Sequence, residues 1–102
     1  MELLLTGRTV PADEALAIGI ASEVVPDAAF RQRLGELATA LAQGPTLAYA
    51  GMRRSVGFAA SRPLTEALDY EAEQMRRTGA SDDHAAAVQA FVTKQVPWFT
   101  GG

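Results

Sequence analysis

Phe91 and Lys94 are three residues apart, so a helix through them sets an aromatic plate beside an ammonium group on one side. On spacing alone, a core phenylalanine followed by a helix-end lysine is the better account of the pair. His84 stands next to Asp82 and Asp83, all three of metal-ligating type. Adjacent residues at a helix start point in different directions and cannot converge on one ion, so a capping turn is the expected role and no metal ligand is assigned. Glu71 with Glu73, and Asp69 with Glu73, could in principle share acid–base work; solvated or salt-bridged helix faces explain them more simply. No G-x-S-x-G, P-loop or G-x-G-x-x-G spacing occurs, and Gly101-Gly102 reads as a flexible end. No catalytic residue is expected.

The elements that position these residues are helical. Ser81 can cap a helix whose first turn holds Asp82 and Asp83, where carboxylates suit the positive helix end. Ala85, Val88, Phe91, Val92 and Val96 keep helical spacing, Lys94 falls in the last turn, and Pro97 forbids continuation. Upstream, Leu3, Leu4 and Leu5 before Thr6-Gly7 read as the tail of a helix stopped by glycine. Pro11 suits a first helical position, and a short helix is expected from about 11 to 18, closed by Gly19. Ile20 to Val25, ending at Pro26, predicts an extended connector without a partner strand.

From Asp27, the residues Phe30, Leu34, Leu37, Ala38 and Leu41 give the clearest amphipathic helix, ended by Gly44-Pro45. A second stripe, Tyr49, Met52, Val56 and Ala59 or Ala60, is expected to fill core. Gly51 and Gly57, each costing up to ~1 kcal/mol against Ala inside a helix, hint at close backbone packing. After Pro63, Leu64, Ala67, Leu68, Ala72 and Met75 form a third inward stripe with Gly79 as its stop. Glu73 and Arg77 are expected to pair across one turn. Glu71 falls on the inward side, where a carboxylate needs a partner, and Arg53 or Arg54 is the expected one. The fold class is therefore mainly α, with four helices after a short entry helix and no substantial sheet.

Composition limits the function classes. The 102 residues make one domain able to bury roughly 60–68% of its unfolded surface. The 48% hydrophobic content is ordinary, and the 7% aromatic share rests the core on Leu, Val, Ile and Ala. A net charge of −3 offers no basic stripe for nucleic acid. The absence of Cys excludes disulfides and thiolate metal sites and fits a reducing cytoplasm. Met1-Glu2-Leu3-Leu4-Leu5 lacks the basic start and length of a signal peptide, and no run approaches ~20 apolar residues, so a soluble chain away from membranes is expected.

Ala90-Phe91-Val92-Thr93-Lys94 followed by Pro97-Trp98-Phe99 resembles the C-terminal signature of the enoyl-CoA hydratase/isomerase (crotonase) superfamily. Leu5-Thr6-Gly7-Arg8, Ala12 to Ile20, Val24-Val25-Pro26, and Gly44-Pro45 with Arg53 and Arg54 fall where that family's C-terminal third has similar residues. The resemblance covers nearly all of the chain and about two-fifths of a typical member. It implies one helical domain over residues 1–102, bundle-like, that builds the trimer and helps cover coenzyme A. The oxyanion amides and catalytic carboxylates belong to the preceding part, so this chain alone is not expected to catalyse.

At the matching positions the family's aromatic lies near the adenine and its lysine near the phosphates of coenzyme A. The resemblance thus implies a coenzyme role for Phe91 and Lys94, with Arg53 adding to the phosphate field. It also implies an acyl-CoA thioester substrate for the parent, no covalent cofactor, and a homo-oligomer. Ala86-Ala87 replaces the common Glu-Gly, and Gln95 replaces a basic residue; both make the helix less charged. A non-enzymatic helical module that self-associates through exposed leucines is the competing expectation.

Overall fold

The computed structural model describes residues 2–102. Among them the chain forms six helices and no strand: α1 (Glu2–Thr6), α2 (Ala12–Ala17), α3 (Asp27–Ala42), α4 (Thr46–Ala59), α5 (Leu64–Gly79) and α6 (Asp82–Thr93). The mainly α expectation holds, with six helices where four after a short entry helix were expected, because the Leu3–Leu5 stretch forms a helix of its own. The chain divides into a first unit ending at Gly35 and a second, Glu36–Gly102.

In the first unit the punctuation residues act as their chemistry dictates. Gly7, at φ 61°, ends α1 with its amide donating to the Leu3 carbonyl at 3.0 Å, a left-handed stop that costs glycine nothing. Pro11 stands just before α2 rather than inside it, with the extended backbone of a residue preceding a helix. Between Gly19 and Pro26 the backbone is irregular, so the predicted extended connector is present as a linker.

Two arginines, Arg8 and Arg33, organise ion pairs on the surface of this unit. The Arg8 guanidinium donates to Glu14 Oε2 at 2.9 Å and to Glu2 Oε1 at 3.1 Å, and Arg33 donates to Glu23 Oε1 at 2.8 Å. Hydrogen bonding by Arg8 holds the Glu14 carboxyl below its usual range, Arg33 does the same to Glu23, and the Arg8 guanidinium is pushed up in turn. A carboxyl depressed in the folded state adds stability above its unfolded value and loses it as pH falls through the folded one. Arg8→Ala is therefore expected to return the Glu14 titration, followed by carboxyl-carbon NMR, to the ordinary glutamate range while leaving Glu23 depressed. Equal displacement of both midpoints would show that general field, not the local pair, sets them.

The second unit is built on an antiparallel pairing of α4 with α5. Gly51 is buried, and a Cβ on it would lie 3.5 Å from Thr78 Cγ2 and 3.8 Å from Gln74 Cβ. Arg54 Nε donates to Gln74 Oε1 at 3.3 Å, and Phe58 stacks on Tyr70 with ring centroids 4.3 Å apart. Arg62 extends that stack, its guanidinium carbon 5.2 Å from the Phe58 centroid. Ascending positions on α4 thus meet descending positions on α5. Close packing at Gly51 matches the sequence expectation; Gly57 has open space around it, so its glycine is not explained by packing.

Other expectations fail for one physical reason, the shortage of buried surface. Ala90 is the one buried hydrophobic residue among those described. Phe30, Leu34, Leu37 and Leu41 on α3, Met52 and Val56 on α4, and Leu64, Leu68 and Met75 on α5 are all exposed, so the apolar stripes exist but are not covered. Glu71 is exposed and forms no ion pair among the described residues; a hydrated carboxylate needs no arginine, and Arg54 turns to Gln74 instead. Glu73 pairs with Arg76, at 2.6 Å across three residues, rather than with Arg77. Both spacings bring side chains together on a helix.

Candidate functional site

The end of the chain holds the residues with chemical potential. Ser81 accepts the His84 amide at 3.2 Å as the expected N-cap of α6, and its hydroxyl donates to the Thr78 carbonyl at 2.6 Å. One side chain therefore joins the last turn of α5 to the first of α6. His84 is exposed, and no group of three His, Cys, Asp or Glu able to hold a metal occurs among the described residues.

At the other end of α6, Lys94 lies one residue beyond the helix, not in its last turn. Its φ is 55°, the only positive φ on a non-glycine among the described residues. The Gln95 amide donates to the Ala90 carbonyl at 2.8 Å and the Lys94 amide to the Phe91 carbonyl at 3.3 Å, the paired bonds of a Schellman stop. Glycine is the favoured occupant of that position, so a lysine there holds a left-handed backbone that costs about 1 kcal/mol.

Phe91 sits on the last turn of α6, 85% exposed and without a ring partner among the described residues. Lys94 is exposed and its ammonium has no ion-pair partner among the described residues. Arg53 is exposed on α4, and no hydrogen bond, ion pair or ring contact joins it to Phe91 or Lys94. The structure thus brings Phe91 and Lys94 to one end of one helix and leaves Arg53 on another element.

The residue that sequence reading underrated is Asp83. It is 4% exposed, its carboxylate accepting the Thr100 amide at 2.6 Å, the Thr100 hydroxyl at 3.3 Å and the Gly101 amide at 3.0 Å. Its own amide donates to the main-chain oxygen of Gly102 at 2.9 Å. The Gly101-Gly102 end is accordingly anchored, not free. Nothing in the spacing separates Asp83 from its neighbour Asp82, because the partners lie 17 and 18 residues downstream.

Two hollows flank these elements. A groove of about 370 Å³ runs between α4 and α5, lined by Gly51, Met52, Val56, Glu71 and Met75 among others. A smaller one of about 190 Å³ lies under the tail, with Pro45, Ser81, His84, Ala87 and Phe99 in its wall. The first mixes apolar side chains with Ser55, Glu71, Gln74 and Thr78, and the tail contributes Phe99 to the second; neither gathers converging acids.

The full length, residues 1–102, matches the protein family described as "Enoyl-CoA hydratase/isomerase". The chain is 36% identical over 101 residues to the protein named "Probable enoyl-CoA hydratase" of Rhodobacter capsulatus, covering 99% of this chain and 39% of that relative. It is 33% identical to the 1,2-epoxyphenylacetyl-CoA isomerase of Escherichia coli, over 99% of this chain and 38% of the relative. A crystal structure described as "Enoyl-CoA Hydrates Subunit I" from Geobacillus kaustophilus superposes with a TM-score of 0.90 at 33% identity, over 99% of this chain and 39% of that one. The chain therefore spans about two-fifths of the length of these relatives.

Proposed function

The chain belongs to the enoyl-CoA hydratase/isomerase family, and on that premise we propose that it is the coenzyme-covering and subunit-docking part of an acyl-CoA enzyme. In this reading Phe91 lies against the adenine of coenzyme A and Lys94 meets its phosphates, with Arg53 contributing to the phosphate field from α4. The parent polarises a thioester carbonyl to stabilise an enolate-like state, using groups outside this chain. Residues 1–102 act as one helical module in that assembly.

The observation that carries the coenzyme role is the backbone at Lys94. A lysine is kept in a left-handed stop where glycine is more stable, with a bare aromatic one turn back and no acidic partner for the ammonium. Strain retained at a side chain with no structural partner is what a binding role leaves behind. Apolar stripes left uncovered on α4 and α5 support the docking role.

Calorimetric titration with coenzyme A tests the proposal. Lys94→Ala is expected to weaken binding about tenfold, the worth of one charge-assisted contact, and raised salt is expected to narrow the difference. Lys94→Gly is expected to lose the same affinity while gaining about 1 kcal/mol of stability from relief of the left-handed lysine. Unchanged affinity in both variants, or no binding heat from the chain at all, would favour a self-associating helical module without a coenzyme role.

A further inference from the structure

The Asp83 anchor lies at the opposite end of α6 from Lys94, yet the two are mechanically joined. From Asp83 to Lys94 the helix advances about 16 Å, at ~1.5 Å per residue. The return path from Lys94 to Thr100 has six residue steps, which reach roughly 20 Å at full extension. The tail therefore has little slack. Its exposure pattern fits an extended strap: Val96 and Trp98 are 93% and 78% exposed, whereas Pro97 and Phe99 are partly covered.

Two features fix the far end of this strap. Gly101 adopts φ 86°, a conformation open to glycine, and this turn lets successive amides of Thr100 and Gly101 meet the two oxygens of one carboxylate. A Cβ on Gly101 would lie 3.0 Å from Thr46 Oγ1, so the end is also seated against the start of α4. The near end is the Schellman turn, held by the Gln95 amide on the Ala90 carbonyl.

We infer that Asp83 is a positioning residue for the Lys94 turn: by pinning Thr100 and Gly101 it draws the 95–99 segment taut and holds the left-handed lysine in its strained conformation. Asp83 touches no ligand in this scheme. Its influence on coenzyme A rests on the role proposed for Lys94, whereas its hold on the turn does not.

Hydrogen exchange and ligand titration on the same variants separate the two. In Asp83→Ala, the Thr100 and Gly101 amides are expected to exchange about tenfold faster or more, as befits loss of a charge-assisted hydrogen bond. The Gln95 amide is expected to accelerate with them, while amides in α4 and α5 keep their rates. The sole tryptophan, Trp98, reports the strap directly, and its fluorescence anisotropy is expected to fall. Asp83→Asn keeps the size and one acceptor and is expected to lie between the two. An unchanged Gln95 rate beside a freed Thr100 overturns the inference whatever coenzyme A does.

For the ligand arm, Asp83→Ala is expected to weaken coenzyme A binding, and the Asp83→Ala/Lys94→Ala double variant to bind no worse than Lys94→Ala alone. Additive losses overturn the positioning role. If Lys94→Ala binds coenzyme A normally, the coenzyme assignment fails instead, and the Gln95 rate alone decides the strap.

Discussion

Diluted about a hundredfold, the chain is expected to melt on the order of 5–10 °C lower, as a dimer or higher oligomer does and a monomer does not. The reason is surface. A compact monomer of this mass exposes roughly 5,500 Å², and two separate compact bodies of the sizes of its two units roughly 6,600 Å². The chain exposes 8257 Å². Folding stability is a small remainder between burial and chain entropy, and a chain with Ala90 as its one described buried hydrophobic residue has little burial to set against that entropy. Cover from a second copy would supply the difference, as in obligate oligomers whose protomers do not fold alone. Circular-dichroism melts at the two concentrations, paired with sedimentation, read the effect. Introducing a charge on an uncovered stripe, as in Val56→Glu, is expected to lower the midpoint and dissociate the assembly. A sharp, concentration-independent transition in a monomer refutes the idea; a broad one at every concentration assigns the cover to something other than a second copy.

The same shortage of burial explains which features were legible in the sequence. Helix starts and stops are local chemistry, and there the sequence speaks plainly: Ser81 caps α6, Gly7 stops α1, and Pro45 and Pro63 stand immediately before α4 and α5. Family membership was legible too, because the A-F-x-x-K and P-x-F spacing lies in one short segment. Burial was not. Helical periodicity reports which face is apolar and is silent about what covers it, so the core assigned to Met52, Val56 and Met75 is a surface, and the arginine assigned to Glu71 has no task. Lys94 escaped by a single residue, since a left-handed stop is normally announced by glycine and none is present. Asp83 escaped by distance: its donors are backbone amides, which every residue but proline carries, so no side-chain pattern marks them.

The second large effect is expected at the α4–α5 crossing, where Gly51→Leu should cost about 2–3 kcal/mol while Gly51→Ala is neutral or stabilising by up to about 1 kcal/mol. The contrast follows from the space available. An alanine methyl at Gly51 meets Thr78 Cγ2 at 3.5 Å and Gln74 Cβ at 3.8 Å, ordinary van der Waals distances, and removes the entropic penalty of a mid-helix glycine. Atoms beyond Cβ that continue toward Thr78 and Gln74 would collide with those side chains, so leucine must turn aside into the neighbouring groove or force α5 away. Separation would break more than the local contact, because the Arg54–Gln74 hydrogen bond and the Phe58–Tyr70 stack lie along the same seam. Gly57 is the control: nothing lies within 4 Å of a Cβ there, so Gly57→Ala and Gly57→Leu should both be tolerated. Chemical-denaturation midpoints at one fixed protein concentration would read all four variants. Equal tolerance of leucine at positions 51 and 57 would mean that α4 and α5 are not closely packed at Gly51, and the antiparallel pairing that frames the second unit would have to be abandoned.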